Sequence, residues 1–424
     1  MTYDQALDFI YDVSLKGRKK GLSRIRELLF RMGDPQKKLR YVHVAGTNGK
    51  GSTCAMIEKI LRTAGYKTGL YTSPHLLRFN ERVRVNGLEI TDEDLIRYTE
   101  DIVGIVESME ERPSFFEIAT AVMFRYFADA GCDIVVLETG LGGRLDATNI
   151  IDAPEVSVIT TIDFDHTADL GDTRELIARE KAGIIKHGRP VVVGTEDPEA
   201  LGSILQKAEE EGSTVHRAPE KPEFLGICGK RQRFLYKGTE YETGLLGRHQ
   251  LMNAVTAIET VEVLRELGYG ISDRDIQEGI TQTVWKGRFQ PIPEKNIVID
   301  GAHNPEGSRS AAEALADYSS EKPVVIYGCL ADKDWQTMID IIAPCGEEFF
   351  LSPIKENPRA IDPAVPAAYL TDKGYKAVCC GSVEEALEKS GARAEELGTF
   401  VFCAGSLYLA TEALEVLGET NSQI

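Results

Sequence analysis

The sequence predicts an α/β protein: a P-loop mononucleotide-binding N-terminal domain followed by a smaller Rossmann-like α/β C-terminal domain. Three observations carry this. An apolar strand runs through a glycine turn into an amphipathic helix at 41–64. Apolar runs of strand length then alternate with segments of helical period. After a Pro- and Gly-interrupted stretch at 285–293, a fresh alternation of the same kind begins. The 424 residues are also too many for one ordinary core. We therefore expect domains at 1–290 and 291–424.

The first stretch reads Tyr41-Val42-His43-Val44-Ala45-Gly46-Thr47-Asn48-Gly49-Lys50-Gly51-Ser52-Thr53. Met56, Ile57, Ile60, Leu61 and Ala64 keep the spacing of one buried helix face, and Gly65 supplies a stop. Unpartnered N–H groups and the positive end of the helix dipole would point at an anion, with Lys50 along the β/γ-phosphates. Ser52 or Thr53 would help hold Mg²⁺. Gly51, between Lys50 and Ser52, departs from the usual pattern. A plain turn with a surface lysine is the competing reading and loses to this context.

Lys plus Arg number 48 against 67 Asp plus Glu, a net charge of −19, which argues against nucleic acid or an anionic membrane as the main partner. No leader pattern opens the chain and no apolar run reaches the roughly 18 residues of a membrane span, so a cytoplasmic location is expected. The segment Tyr3–Met32 looks amphipathic, with basic Lys16–Lys20 between two helical pieces. Eight scattered cysteines lack zinc-finger spacing and read as reduced core thiols.

Further along, the 73–87 loop carries Phe79 with Arg78, Arg82 and Arg84, which suits a flat anionic ligand or ordinary salt bridges equally. Helices are expected at 92–109 and 115–130. The apolar strand at 133–138 ends in Glu138, and a strand-end carboxylate beside a phosphate loop is a natural Mg²⁺ ligand. A second glycine-rich loop, 140–149, carries Arg144 and Asp146. His166 follows another strand, where it could ligate a metal or orient a substrate. Lys181 reads as a solvated charge on a helix at 172–185, and 194–242 as a polar peripheral subregion.

Gly46-Thr47-Asn48-Gly49-Lys50-Gly51-Ser52 resembles the variant P-loop of folylpolyglutamate and dihydrofolate synthases, within the Mur-ligase superfamily of ATP-dependent amide ligases. Ser73-Pro74-His75, Glu81-Arg82-Val83, Leu137 to Asn149, Glu180 to Lys186, Gly247 to Gln250, Asn253-Ala254, Gly287-Arg288 and Asp300 to Pro305 continue the resemblance in order. It implies that Ser73 and Glu138 form a first Mg²⁺ site, with His166 and a carbamylated Lys181 at a second. It implies ATP contacts from Gly46 to Thr53 and from Asn253, Arg288, Asp300 and His303, with closure about 285–293 completing the site. Pro74, His75, Phe79, Arg82, Phe116 and Asp146 would line a pterin or folate pocket. The implied reaction joins L-glutamate to dihydropteroate or a reduced folate at the expense of ATP, in one bifunctional enzyme or in a monofunctional member of the pair. A monomer is expected. Two rivals are a cell-wall Mur-type amino-acid ligase, opposed by Gly51 and the short stretch before the loop, and a non-catalytic ATP-binding switch, opposed by the complete set of phosphate and metal groups.

Overall fold

The structure is a computed structural model and describes residues 1–11, 21–218, 220–355 and 357–419. The basic stretch Lys16–Lys20 lies outside the described residues; on either side of it, helices run over Tyr3–Tyr11 and Ser23–Arg31. The chain divides into two compact units. The first comprises Met1–Lys221 and Met252–Thr283, and the second joins Pro222–Leu251 to the segment from Val284 onward. The division falls a few residues ahead of the 290/291 boundary expected from sequence, and it groups 222–251 with the later segment.

The first unit is built on an eight-stranded sheet. Its strands are β1 (Tyr41–Ala45), β2 (Thr68–Tyr71), β3 (Val83–Val85), β4 (Leu88–Glu89), β5 (Ile134–Glu138), β6 (Val156–Ile159), β7 (Val191–Val193) and β8 (Val215–Arg217). Their order is β4-β3-β2-β5-β1-β6-β7-β8, parallel except for the antiparallel β3 and β4 at one edge. Every residue of β1, β2, β5, β6 and β7 is buried, as a parallel sheet covered on both faces requires. One core packs Ile118, Val122, Phe124 and Phe127 of the Phe115–Ala130 helix with Tyr41, Tyr71, Val135 and Leu137. That helix starts at a capping box, in which the Ser114 hydroxyl accepts from Glu117 N and Glu117 Oε2 accepts from Ser114 N.

The topology decides where chemistry gathers. β1 lies between β5 and β6; the chain leaves β1 toward β2 on one side, and the connection from β5 crosses to β6 on the other. The carboxyl ends of these three strands flank the point where strand order reverses, the usual binding crevice of such sheets. Register puts Val44 beside Glu138 and Ala45 beside Ile159, so the glycine loop, Glu138 and the 160–166 segment share one edge.

The second unit holds a meander, β9 (Glu223–Cys228), β10 (Arg231–Tyr236) and β11 (Thr239–Thr243), and a six-stranded sheet. The latter contains β12 (Gln290–Ile292), β13 (Ile297–Ile299), β14 (Val324–Tyr327), β15 (Glu348–Leu351), β16 (Ala377–Cys379) and β17 (Val401–Ala404), in the order β12-β13-β17-β14-β15-β16. All pair in parallel except β12.

Three expectations need correction. The 285–293 stretch does not stop regular structure throughout, because Gln290–Ile292 pairs antiparallel with β13; Pro291 is tolerated there because β12 is an edge strand. The 73–87 segment is not all loop, since Phe79–Arg82 forms a 3₁₀ turn and Val83–Val85 a strand. Within 194–242, Pro198–Glu210 is a helix capped by the Asp197 carboxylate, and Ala200 and Ile204 enter a buried cluster. The described cysteines are free; five are buried, while Cys228 and Cys379 are exposed and Cys345 half-buried. No helix of the described residues is long and apolar enough to cross a membrane.

Candidate active site

β1 ends at Ala45 and the Lys50–Thr63 helix starts four residues after Gly46. Gly49 caps this helix at φ +80°, and a Cβ there would sit 2.2 Å from Asn253 Oδ1, so a side chain is excluded twice. The loop is braced from the segment after β6. Thr47 N donates to Thr161 O at 2.7 Å, and the Thr160 hydroxyl donates to Asn48 O at 2.7 Å. The Thr47 hydroxyl donates to Asp163 O at 3.0 Å and accepts from Asp163 N at 3.1 Å. Arg174 holds the Asp163 carboxylate at 2.8 Å while lying over the Phe164 ring. Sequence reasoning passed over Thr160, Thr161 and Asp163; a pair of hydroxyls closing a strand beside the P-loop strand is the signal that was available.

Two lysines converge on one carbonyl. Lys50 Nζ donates to Gly46 O at 3.1 Å and to Thr47 O at 3.0 Å, and Lys181 Nζ donates to Gly46 O at 2.7 Å. Lys181 is therefore not a solvated helix charge; it is 4% exposed. Burial, with Lys50 adding to it, pushes its ammonium down to about 7, against the pull of Asp165 and Asp146. The 140–149 loop clamps the end of its helix: Arg144 N donates to Glu180 O at 2.7 Å, and Asn149 Nδ2 to Arg144 O and Gly183 O at 3.0 Å each.

Glu138 is buried at the end of β5, and its Oε2 accepts from Ser73 N at 2.8 Å. His166 stands at φ +50° ahead of a short helical turn, its side chain about half exposed, with Nε2 3.9 Å from Asp165 Oδ2. Among the described residues no three His, Cys, Asp or Glu side chains converge as a protein-only metal cage. Magnesium bound through one or two carboxylates, water and phosphate needs none, so a buried glutamate beside a serine at the mouth of a phosphate loop fits it.

The expected pterin residues fall in two groups. Arg82 Nε donates to His75 Nδ1 at 2.8 Å, and the Arg82 guanidinium lies 5.7 Å from the Phe79 ring centre and 5.3 Å from that of Phe115. Burial, then Arg82, holds His75 near 3, so it is neutral. Tyr11, which sequence reasoning missed, stacks on Phe115 at 4.8 Å. Pro74, in a cis peptide with Ser73, is exposed beside this group. Phe116 lies instead against Tyr71 and Gly140. Asp146 turns inward: its Oδ2 accepts from Gly140 N and Leu141 N at 3.0 and 2.8 Å, and its Oδ1 from Thr148 N at 3.0 Å and the Thr148 hydroxyl at 2.6 Å. Both oxygens thus serve the loop.

In the second unit, Asp300 Oδ2 accepts from Phe289 N and Oδ1 from Ala302 N, each at 2.7 Å. Burial raises this carboxyl, with Arg288 opposing. Gly301 N donates to Gly287 O at 2.9 Å, so Arg288, Asp300 and His303 lie on two segments stitched together. Asn253, expected to act with them, belongs to the first unit.

Residues 44–261 match the Mur ligase middle domain and 287–407 the Mur ligase glutamate ligase domain, so fold and site define a Mur-type ligase. The dihydrofolate synthase/folylpolyglutamate synthase of Bacillus subtilis strain 168 is 40% identical over 352 residues, covering 80% of this chain and 82% of its own length. The folylpolyglutamate synthase of Lacticaseibacillus casei is 34% identical over 98% of this chain and 99% of its own. Folylpolyglutamate synthase from Mycobacterium tuberculosis, solved with ADP and AMPPCP, superposes with a TM-score of 0.89 at 28% identity, over 98% of this chain and 99% of that one. The chain belongs to the folylpolyglutamate synthase/dihydrofolate synthase family of Mur ligases.

Proposed function

We propose that this protein is a bifunctional ligase that joins L-glutamate to the carboxylate of dihydropteroate and of reduced folates, converting ATP to ADP and phosphate. The observation that carries the reading is the meeting of Lys50 and Lys181 on the Gly46 carbonyl of a phosphate loop. The Lys50 ammonium, held by the Gly46 and Thr47 carbonyls, is poised to turn to a polyphosphate, and Lys181 beside it, once carbamylated, to a metal ion on that polyphosphate. The family relation supplies the acceptors.

In the reaction, an oxygen of the acceptor carboxylate attacks the γ-phosphorus, and the bond to the β-bridging oxygen breaks as ADP leaves. The glutamate amine then attacks the acyl phosphate carbon, loses a proton and expels phosphate. Lys50 and the loop amides offset the charge on the transferring group. Asn253, Arg288, Asp300 and His303 are proposed nucleotide contacts. Arg82 between its aromatic rings, with His75 and Pro74, takes the acceptor, whose flat ring suits the guanidinium plane and the aromatic faces. Asp146 shapes the Phe116 wall through the loop it holds.

Ser73 and Glu138 would hold one Mg²⁺, and His166 with a carbamylated Lys181 a second; the metal supplies charge neutralisation of the phosphates. A lysine held near 7 has free amine to add CO₂, releasing one proton and leaving an anionic carbamate. We further propose a cytoplasmic monomer without nucleic-acid or membrane partners. The test is ADP release with Mg²⁺, ATP and glutamate, comparing 7,8-dihydropteroate with tetrahydrofolate and weighing the products. Turnover with both acceptors is expected. Turnover with one makes the enzyme monofunctional, and turnover with neither removes the reading.

A further inference from the structure

A chain of three side chains, His43, Thr148 and Asp146, runs from the centre of the sheet to the 140–149 loop. His43 lies in the middle of β1 and is fully buried, as is Thr148. His43 Nε2 is 2.9 Å from Thr148 Oγ1, and Thr148 Oγ1 is 2.6 Å from Asp146 Oδ1. A buried histidine beside a buried threonine is ordinarily core packing. Here the direction of the hydrogen bonds says more.

Asp146 has filled its other acceptor positions with the backbone N–H groups of Gly140, Leu141 and Thr148. A carboxylate oxygen 2.6 Å from a hydroxyl must receive its proton, because facing lone pairs repel. Thr148 has one proton, and it goes to Asp146. The imidazole must therefore donate from Nε2, which leaves Nδ1 bare. Nδ1 is indeed buried without a hydrogen-bond partner among the described residues. Burial, with Lys186 adding, holds His43 near 3, so the ring is neutral and has only one N–H to give. The chain is a one-way relay of donors, Nε2–H to Oγ1–H to carboxylate.

The far end of the relay sets the Gly140–Leu141 turn. The Phe116 ring packs directly on Gly140, where a Cβ would come within 2.5 Å of Phe116 Cζ. We propose that His43 and Thr148 are positioning residues for the acceptor, fixing the 140–149 loop and the Phe116 wall from inside the sheet without touching substrate. Arg144 and Asn149 of the same loop clamp the helix of Lys181, but the phosphate loop is braced separately by Thr160, Thr161 and Asp163. Acceptor handling should therefore suffer before nucleotide binding does.

This inference rests on the ligase reading, and its tests are chosen to separate the two. Thr148→Val keeps the shape and removes the hydroxyl; Thr148→Ser keeps the hydroxyl. We expect Thr148→Val to lower kcat/KM for the acceptor about tenfold or more, a loss of about 1.4 kcal/mol per factor of ten. KM for ATP should stay within about twofold, and Thr148→Ser should restore most of the acceptor rate. Unchanged acceptor kinetics in Thr148→Val, equal loss toward ATP and acceptor, or failure of Thr148→Ser to rescue would overturn the proposal. Independently of turnover, ¹⁵N-histidine spectra of the wild-type protein, with His43 assigned through His43→Gln, should show the Nε2–H tautomer. The Nδ1–H tautomer would overturn the relay even in a fully active enzyme. A wild-type protein without acceptor-dependent turnover would remove the ligase reading and leave the spectra to decide the relay.

Discussion

Lys181 shows how one buried charge ties stability to chemistry. Its side chain is enclosed, and its ammonium is held near 7 rather than the ordinary 10.5. Below 7 both the folded and unfolded chains carry the proton, and the full cost of burying the charge is felt. Between about 7 and 10.5 the folded state has released it while the unfolded state has not, so stability rises with pH. We expect Lys181→Met to be more stable than wild type at about pH 6 in CO₂-free buffer, with the difference shrinking toward about pH 9. Urea midpoints measured across that range test it; a pH-independent difference would show that the lysine is not carrying a buried charge. Activity should be lost in the same variant at every pH.

At the scale of elements, the Phe115–Ala130 helix carries Phe115 and Phe116 of the proposed acceptor pocket, and Glu117 anchors it. Its Oε2 meets Arg24 Nε of the Ser23–Arg31 helix at 3.0 Å, and the pair is largely hidden from water. The same oxygen closes the capping box. Removing Glu117 takes away an acceptor shared by Arg24 Nε and Ser114 N, at a cost of about 1–3 kcal/mol. Glu117→Ala should lose stability on that scale by urea unfolding and should raise KM for the acceptor. A loss below about 1 kcal/mol would place the pair among ordinary surface bridges.

At the scale of the whole molecule, binding and stability are linked. A nucleotide that binds the folded protein alone, present at about a hundred times its Kd, stabilises it by about 2.7 kcal/mol. Thermal unfolding with AMPPNP and Mg²⁺ should shift upward in wild type and hardly at all in Lys50→Met, because the triphosphate loses its central cation. An equal shift in both would remove Lys50 from the nucleotide site.

Much of this protein is legible in its sequence. The P-loop strand and helix, Glu138 at a strand end, the helices at 92–109 and 115–130 and the second α/β unit each follow from local period and turn residues. Those signals act over a few neighbours, and the chain states them directly. Other features belong to the fold alone. Lys181 reads as a surface charge because its helix is short and polar; only the approach of Gly46 from 135 positions away buries it. Thr160 and Thr161 look like strand residues until register sets β6 beside β1. Asp146 reads as a ligand group until the loop folds around it, and β12 reads as linker until β13 offers its edge. Sequence alone determined the main strands and helices around the P-loop and what chemistry that loop can carry. Tertiary structure decided which polar groups are desolvated and whom they face, because desolvation and hydrogen-bond direction depend on neighbours distant in the chain.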